Sequence, residues 1–297
     1  MGKSVRQPVI NTRSPLPLLS RLLRFPSIGI ALFTVYVAAQ LALAPRAWGQ
    51  TAVDLELVIA VDVSLSMDLE EQRLQREGYV AAFRDGEIHK AITSGAHGRI
   101  AVTYVEWAGP TSQQVVMSWT TLDGPEAARR FAEKLEAAPI SRERLTSISA
   151  ALAFSRALFA SSGVKGLRRV IDVSGDGPNN SGHAIAPVRD EVVAGGIVIN
   201  GLPIMLRLAA NSAFDISDLD RYYGSCVIGG DGAFVVPVRH MDEFISAIRR
   251  KLLLEISGLA PSPLRPTPVQ ALPGDGFGYD CMTGEKQWQW YFDRIPN

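Results

Sequence analysis

The chain has 297 residues, 47% of them hydrophobic and 20% charged, with Lys+Arg and Asp+Glu equal at 30 each and a formal net charge of zero. That composition allows one principal globular core with appendages. The balanced charge excludes recognition of nucleic acid, or of an anionic membrane, through a bulk positive field.

Residues 1–49 read as targeting rather than fold. Lys3, Arg6, Arg13, Arg21 and Arg24 precede an apolar stretch at 28–44, and Ala47-Trp48-Gly49 follows as a cleavage site. The apolar stretch is long for a signal core and short of the ~20 residues of a spanning helix, so cleavage and retention as an N-terminal anchor both stay open. The expected destination is outside the cytoplasm, periplasmic or secreted, with membrane contact only if the segment is kept. Export permits a disulfide between Cys226 and Cys281, and we expect one over two unpaired thiols.

Over 50–258, apolar runs of strand length alternate with helical periodicity, which predicts an α/β domain. Its expected form is a three-layer, doubly wound, Rossmann-like fold with about six strands, mostly parallel. Strands are expected at 55–61, 100–107, 114–120, 169–173, 197–203 and 233–238. Only residues 108–113, containing Gly109-Pro110, join the second strand to the third. That is too short for a crossover helix, so the third strand is expected as an antiparallel edge hairpin.

Helical stripes fall between the strands. Ala127, Phe131 and Leu135 follow an Asp123 cap with Pro125 just inside, and Ile148, Leu152, Ser155 and Phe159 keep one face of a second helix. Ile185, Val188 and Val192 mark a third. The closing helix carries Phe244, Ile248, Leu252 and Ile256, and Gly258 stops it. Residues 259–297 then change texture. Five prolines between Pro261 and Pro273, with Gly274, Gly276 and Gly278, make a semi-rigid linker. The tail holding Trp288, Trp290, Tyr291 and Phe292 either folds back on the domain or offers a docking patch.

The chemistry is concentrated after the first strand. Asp62-Val63-Ser64-Leu65-Ser66 places one carboxylate and two hydroxyls at i, i+2 and i+4, which in extended chain project to one side. Hard oxygen ligands with few carboxylates suit Mg²⁺, which also leaves Mn²⁺ or Ca²⁺ as candidates. Zinc fits poorly, because His89, His97, His183 and His240 have no zinc-type spacing and only two cysteines exist. The bland alternative is a capped turn in which Asp62 and the serines satisfy backbone N–H groups. In doubly wound sheets, loops at the carboxyl ends of strands converge. The loop Ser174-Gly175-Asp176-Gly177-Pro178-Asn179-Asn180 adds a carboxylate there, and Ser141-Arg142-Glu143-Arg144-Leu145-Thr146 adds a hydroxyl. Glu106 and His183 lie nearby in ordinary strand-end and loop roles.

With these three loops the chain resembles the von Willebrand factor type A family, whose metal-ion-dependent adhesion site combines D-x-S-x-S, a threonine from a second loop and an aspartate from a third. It looks closest to small exported bacterial members without assigned function. The resemblance covers about residues 53–257. It implies that Asp62, Ser64, Ser66, Thr146 and Asp176 hold the cation, that a protein partner's Asp or Glu completes the coordination, and that the protein is not an enzyme. Two departures stand out. The family's third loop usually reads T-D-G or S-D-G, whereas Gly175 intervenes here between Ser174 and Asp176. The second loop often has glycine before its threonine, whereas Leu145 stands here. Arg142, Arg144 and Asn179 are candidate contacts for an anionic ligand.

Two other functions compete. A phosphoryl-transfer enzyme would use Asp62 as nucleophile beside Mg²⁺, yet Ser64 stands where such sites often have a second acid, and no Walker loop or G-x-S-x-G elbow is present. The other keeps the fold without the metal, as a structural interaction domain.

Overall fold

Ten consecutive residues of the first strand, β1 (Thr51–Asp62), are buried. A run without exposed positions belongs to a strand covered on both faces. The computed structural model describes residues 50–206, 216–259 and 279–294. The targeting segment at 1–49 and the linker prolines and glycines at 261–278 lie outside the described residues. The other strands are β2 (Ile100–Trp107), β3 (Gln113–Leu122), β4 (Val164–Gly175) and β5 (Val198–Pro203). They form one sheet in the order β3-β2-β1-β4-β5. All neighbours are parallel except β2 and β3, joined by the expected hairpin.

In chain order the helices are α1 (Leu69–Arg84), α2 (Gly86–Thr93), α3 (Pro125–Ala137), α4 (Ile148–Leu158), α5 (Ile185–Ala194), α6 (Leu219–Tyr222), α7 (Phe244–Ser257) and α8 (Thr283–Phe292). The two-residue period of β1 splits its side chains between two cores. Leu55, Leu57, Ile59 and Val61 pack with Tyr79 and Phe83 of α1, Phe131 of α3, and Ile248 and Leu252 of α7. Val58 and Ala60 pack instead with Ile148 and Leu152 of α4, Ile185 and Val192 of α5, and Tyr222 of α6. Three layers result.

One ion cluster is buried within the first core. Lys251 of α7 lies 2.5 Å from both Asp172 of β4 and Glu255 one turn further on, and Asn200 of β5 donates to Glu255 at 3.0 Å. It ties the closing helix to the middle of the sheet.

The structure departs from the sequence expectations in several places. The sheet has five strands rather than six. The segment 233–238 runs beside β5 but makes only isolated bridges, Gly201 with Val235 and Ile204 with Val238, because Pro203 of β5 has no N–H to donate between them. The N-cap of α3 is Gly124, not Asp123, with no side-chain cap and Pro125 in the first turn. Helices α2, α6 and α8 were not expected, and neither was α1. Its buried face carries Gln72, Gln75 and Arg76, which mask the apolar stripe, although Asp68 and Glu71 form a full capping box at its start.

Candidate metal centre

β1 ends at Asp62, and only residues 63–68 separate it from α1. Within that turn Ser64 N–H donates to Asp62 Oδ1 at 2.7 Å, which fixes one carboxylate oxygen and presents the serines above it. Ser66 donates its hydroxyl to Asp176 Oδ1 at 2.7 Å. Its proton being so engaged, Ser64 Oγ donates to Ser66 Oγ, also at 2.7 Å. Asp62, Ser64, Ser66 and Asp176 thus form one continuous polar chain, its last link joining Ser66 to a residue 110 positions away.

Backbone contacts hold the loops in register. Leu65 N–H donates to Glu143 O at 2.8 Å and Glu143 N–H to Val63 O at 3.1 Å, stitching the first loop to the second. Ser147 N–H donates to Ala108 O at 2.7 Å, tying the second loop to the end of β2. Thr146 N–H donates to Asn180 Oδ1 at 3.0 Å while Asn180 N–H donates to Thr146 O at 2.9 Å, joining the second loop to the third. Thr146 is buried, and it is tied to the third loop through its backbone rather than its hydroxyl. Leu145, just before it, has φ +69°, the left-handed region that favours glycine.

Electrostatically the centre is unbalanced. Asp62 is fully buried, and burial, followed by the neighbouring Asp176 carboxylate, pushes its pKa well above the usual range despite the hydrogen bonds from Ser64. Its Oδ2 has no hydrogen-bond partner. The Tyr223 hydroxyl is buried without a partner too, and burial, then Asp62, raises its pKa. An unpartnered buried carboxylate oxygen costs free energy unless something neutralises it. The donor set is all oxygen, two carboxylates and two hydroxyls. Among the described residues no group of three or more His, Cys, Asp or Glu side chains is placed to hold a metal ion. That all-oxygen chemistry fits a hard divalent cation.

The three anionic-ligand candidates fare differently. Asn179 is a correction: it is completely buried, its Oδ1 accepting from Ser149 N–H and its Nδ2 donating to His183 O and Glu285 Oε1, so no ligand reaches it. Arg142 is exposed and donates to Met67 O at 3.1 Å, leaning over the first loop. Arg144 is exposed, and its carbonyl lies against Gly109, where a β-carbon would stand 2.7 Å away. Glu106 forms a buried ion pair with Arg76 and accepts from Ser141 N–H at 3.0 Å, so it supports the second loop from below.

Sequence reasoning passed over Tyr223 and Gln75. Gln75 donates to Ser174 Oγ at 2.7 Å behind the third loop. Neither carries a local signal, since one follows a four-residue helix and the other sits in a polar stretch. Cys226 and Cys281 are joined in the structure as a disulfide spanning 55 positions.

The sheet order, the antiparallel edge strand and the loops meeting beyond the strand ends define a von Willebrand type A fold. Within that class the chain belongs to the family described as a protein of unknown function, DUF1194, whose profile matches residues 52–260. Solved structures with the same fold include proximal thread matrix protein 1 of the mussel byssus, with TM-score 0.52, 11% identity, and coverage of 70% of this chain and 49% of that one. Another is the pilus adhesin SpaC of Lactobacillus rhamnosus GG, with TM-score 0.50, 12% identity, and coverage of 71% and 31%. A von Willebrand factor type A protein of Catenulispora acidiphila aligns with TM-score 0.45, 12% identity, and coverage of 69% and 43%. The chain therefore spans half or less of the length of these proteins. No curated protein matches it in sequence.

Proposed function

We propose that this protein is a non-enzymatic, divalent-cation-dependent interaction module of the cell envelope. One observation carries the reading: the Ser64–Ser66–Asp176 hydrogen-bond chain lies beside a buried Asp62 carboxylate whose Oδ2 has no partner. Asp62, Ser64, Ser66 and Asp176 would hold Mg²⁺, or Mn²⁺ or Ca²⁺, with Thr146 as a further hydroxyl donor. Bound there, the cation would supply a positive charge for a partner's Asp or Glu carboxylate. The chain's own part is to fix the oxygens beforehand through the Val63–Glu143 and Thr146–Asn180 backbone ties and to shield Asp62 from water, which strengthens charge interactions. Exposed Arg142 and Arg144 would draw an acidic partner surface toward the site.

The matrix and adhesin functions named for two proteins of the same fold support a binding role over a catalytic one. Residues 1–49 are assigned here to export, cleaved or kept as an anchor, 50–258 to the interaction domain and 259–297 to linker and tail. Among the described residues no helix is long and apolar enough to cross a membrane.

The test is titration calorimetry with Mg²⁺, Mn²⁺ and Ca²⁺, followed by envelope pull-down in Mg²⁺ and in EDTA. Binding heat that vanishes in Asp62→Ala, and a partner captured only with the cation, are the expected results. A partner retained equally in EDTA would leave only a metal-free scaffold. Hydrolysis of generic phosphate esters, lost in Asp62→Ala, would point instead to phosphoryl transfer.

A further inference from the structure

The C-terminal segment 279–285 returns across the domain and lands on the loop that carries Asp176. Three anchors hold it. Tyr279 donates its hydroxyl to Asp218 Oδ1 at 3.1 Å and meets Tyr222 edge-on, the ring centres 6.0 Å apart. Cys281 is bonded to Cys226, which is fully buried. Gly284 then lies so close to the third loop that a β-carbon would stand 2.1 Å from Asn179 O, and Glu285 Oε1 accepts from Asn179 Nδ2 at 2.7 Å.

Asn179 is a junction. Besides Glu285, its side chain binds Ser149 N–H in the first turn of α4 and His183 O, and its N–H donates to the Tyr222 hydroxyl at 3.1 Å. The next residue, Asn180, makes the two bonds to Thr146, and Asp176 lies three residues earlier. A contact from the tail on Asn179 therefore bears on both later loops of the site. The strap also lies beyond the region matched by the family profile, residues 52–260.

We infer that residues 279–285 are a positioning element of the candidate site, held by the Cys226–Cys281 bond so that Gly284 and Glu285 clamp the Asp176 loop. Tethering makes this contact intramolecular, so it persists at a high effective concentration that a free tail would lack. Removing the Glu285 acceptor leaves one buried Asn179 N–H without its partner and opens that side of the loop to water. The loop then samples open states more often, and oxygens that must converge on one ion are less preorganised. The effect on cation affinity rests on the function proposed above; the effect on the loop does not.

The test uses the full chain in three forms besides wild type: Glu285→Ala, Glu285→Gln, and Cys226→Ser combined with Cys281→Ser. Hydrogen exchange is followed by mass spectrometry over 176–184, and Mn²⁺ affinity by calorimetry. Losing one hydrogen bond to a buried group should speed exchange at Asn179 and Asn180 and weaken Mn²⁺ binding about fivefold in Glu285→Ala and at least as much in the double serine variant. Glu285→Gln keeps an acceptor oxygen and should stay within about twofold of wild type on both readouts. Unchanged exchange in Glu285→Ala, or a Gln variant as impaired as the Ala variant, overturns the inference. Should the double variant fail to fold, the two Glu285 variants decide. Should wild type bind no Mn²⁺, the function proposed above fails while the exchange result still judges the strap.

Discussion

Gly175 backs directly onto Asp62: a β-carbon on Gly175 would stand 2.8 Å from Asp62 Oδ2 and 3.0 Å from the Tyr223 hydroxyl. The extra residue between Ser174 and Asp176 is thus tolerated because it is glycine. Its missing side chain leaves the space in which the Asp62 carboxylate lies.

Gly175→Ala should disrupt the site from behind. Asp62 Oδ1 is held by Ser64 N–H, and the carboxylate is fully buried, so it has no free direction of retreat. Overpacking of this kind costs about 1–3 kcal/mol, read as a shifted urea midpoint. Mn²⁺ binding should weaken about tenfold, equivalent to ~1.4 kcal/mol. A variant with wild-type midpoint and affinity would contradict the close packing.

Asp62→Asn should separate stability from binding. Burial and Asp176 raise the Asp62 pKa, so without a cation the ionised carboxylate burdens the fold. Asparagine keeps the Oδ1 acceptor for Ser64 and removes the charge. The metal-free variant should melt higher than wild type at pH 7, by roughly 2–4 °C for each kcal/mol relieved in a domain of this size. Its calorimetric Mn²⁺ signal should be absent. A lower melting temperature would show that the charge is compensated in the metal-free protein.

Glu255 should make stability depend on pH. Burial, then Asp172 on β4, push its pKa up to about 8, against the opposing pull of Lys251 on its own helix, with Asn200 of β5 also in contact and Tyr79 of α1 bonded to Asp172. A carboxyl raised in this way is stabilising when protonated. Its contribution is complete below the unfolded-state value of ~4.3 and is lost as pH rises through about 8. The slope reaches up to about 1.4 kcal/mol per pH unit. Melting curves from pH 5 to 8 should fall less steeply in Glu255→Gln than in wild type. Parallel curves would assign the dependence to other groups.

Leu145 should reverse an ordinary preference. At most positions glycine is less stable than alanine by roughly 0.5–1 kcal/mol. At φ +69° an L side chain costs about 1–2 kcal/mol, so Leu145→Gly should be more stable than Leu145→Ala by about 1 kcal/mol in urea denaturation. The usual order at this site would mean that the loop relaxes out of the left-handed conformation. Comparing the two variants cancels the packing of Leu145 against Gly109, which both lose.

Much of the scaffold was legible because it follows from local pattern. Two-residue alternation, continuous apolar runs and helical stripes located β1 to β5 and helices α3, α4, α5 and α7, and the six-residue gap after Trp107 implied the hairpin. Helix α1 escaped because Gln72, Gln75 and Arg76 are buried through hydrogen bonds and an ion pair, which hydrophobic periodicity does not register. The sixth strand was expected from its own apolar content, whereas the interruption lies in its neighbour β5, at Pro203. Asn179 looked like a ligand contact on an exposed loop and is instead a buried junction, since its partners come from α4 and α8, far away in sequence.

By itself the sequence determined the α/β alternation and the identity of the oxygen-bearing residues on three loops, because strand period and loop chemistry are properties of neighbouring residues. Only the tertiary structure decided that Ser66 reaches Asp176, that Asp62 is left with a buried unpartnered oxygen, and that the C-terminal tail rests on Asn179. These depend on the sheet order bringing β1 and β4 side by side and on a disulfide linking distant segments, and pairings at long sequence separation leave no trace in local periodicity.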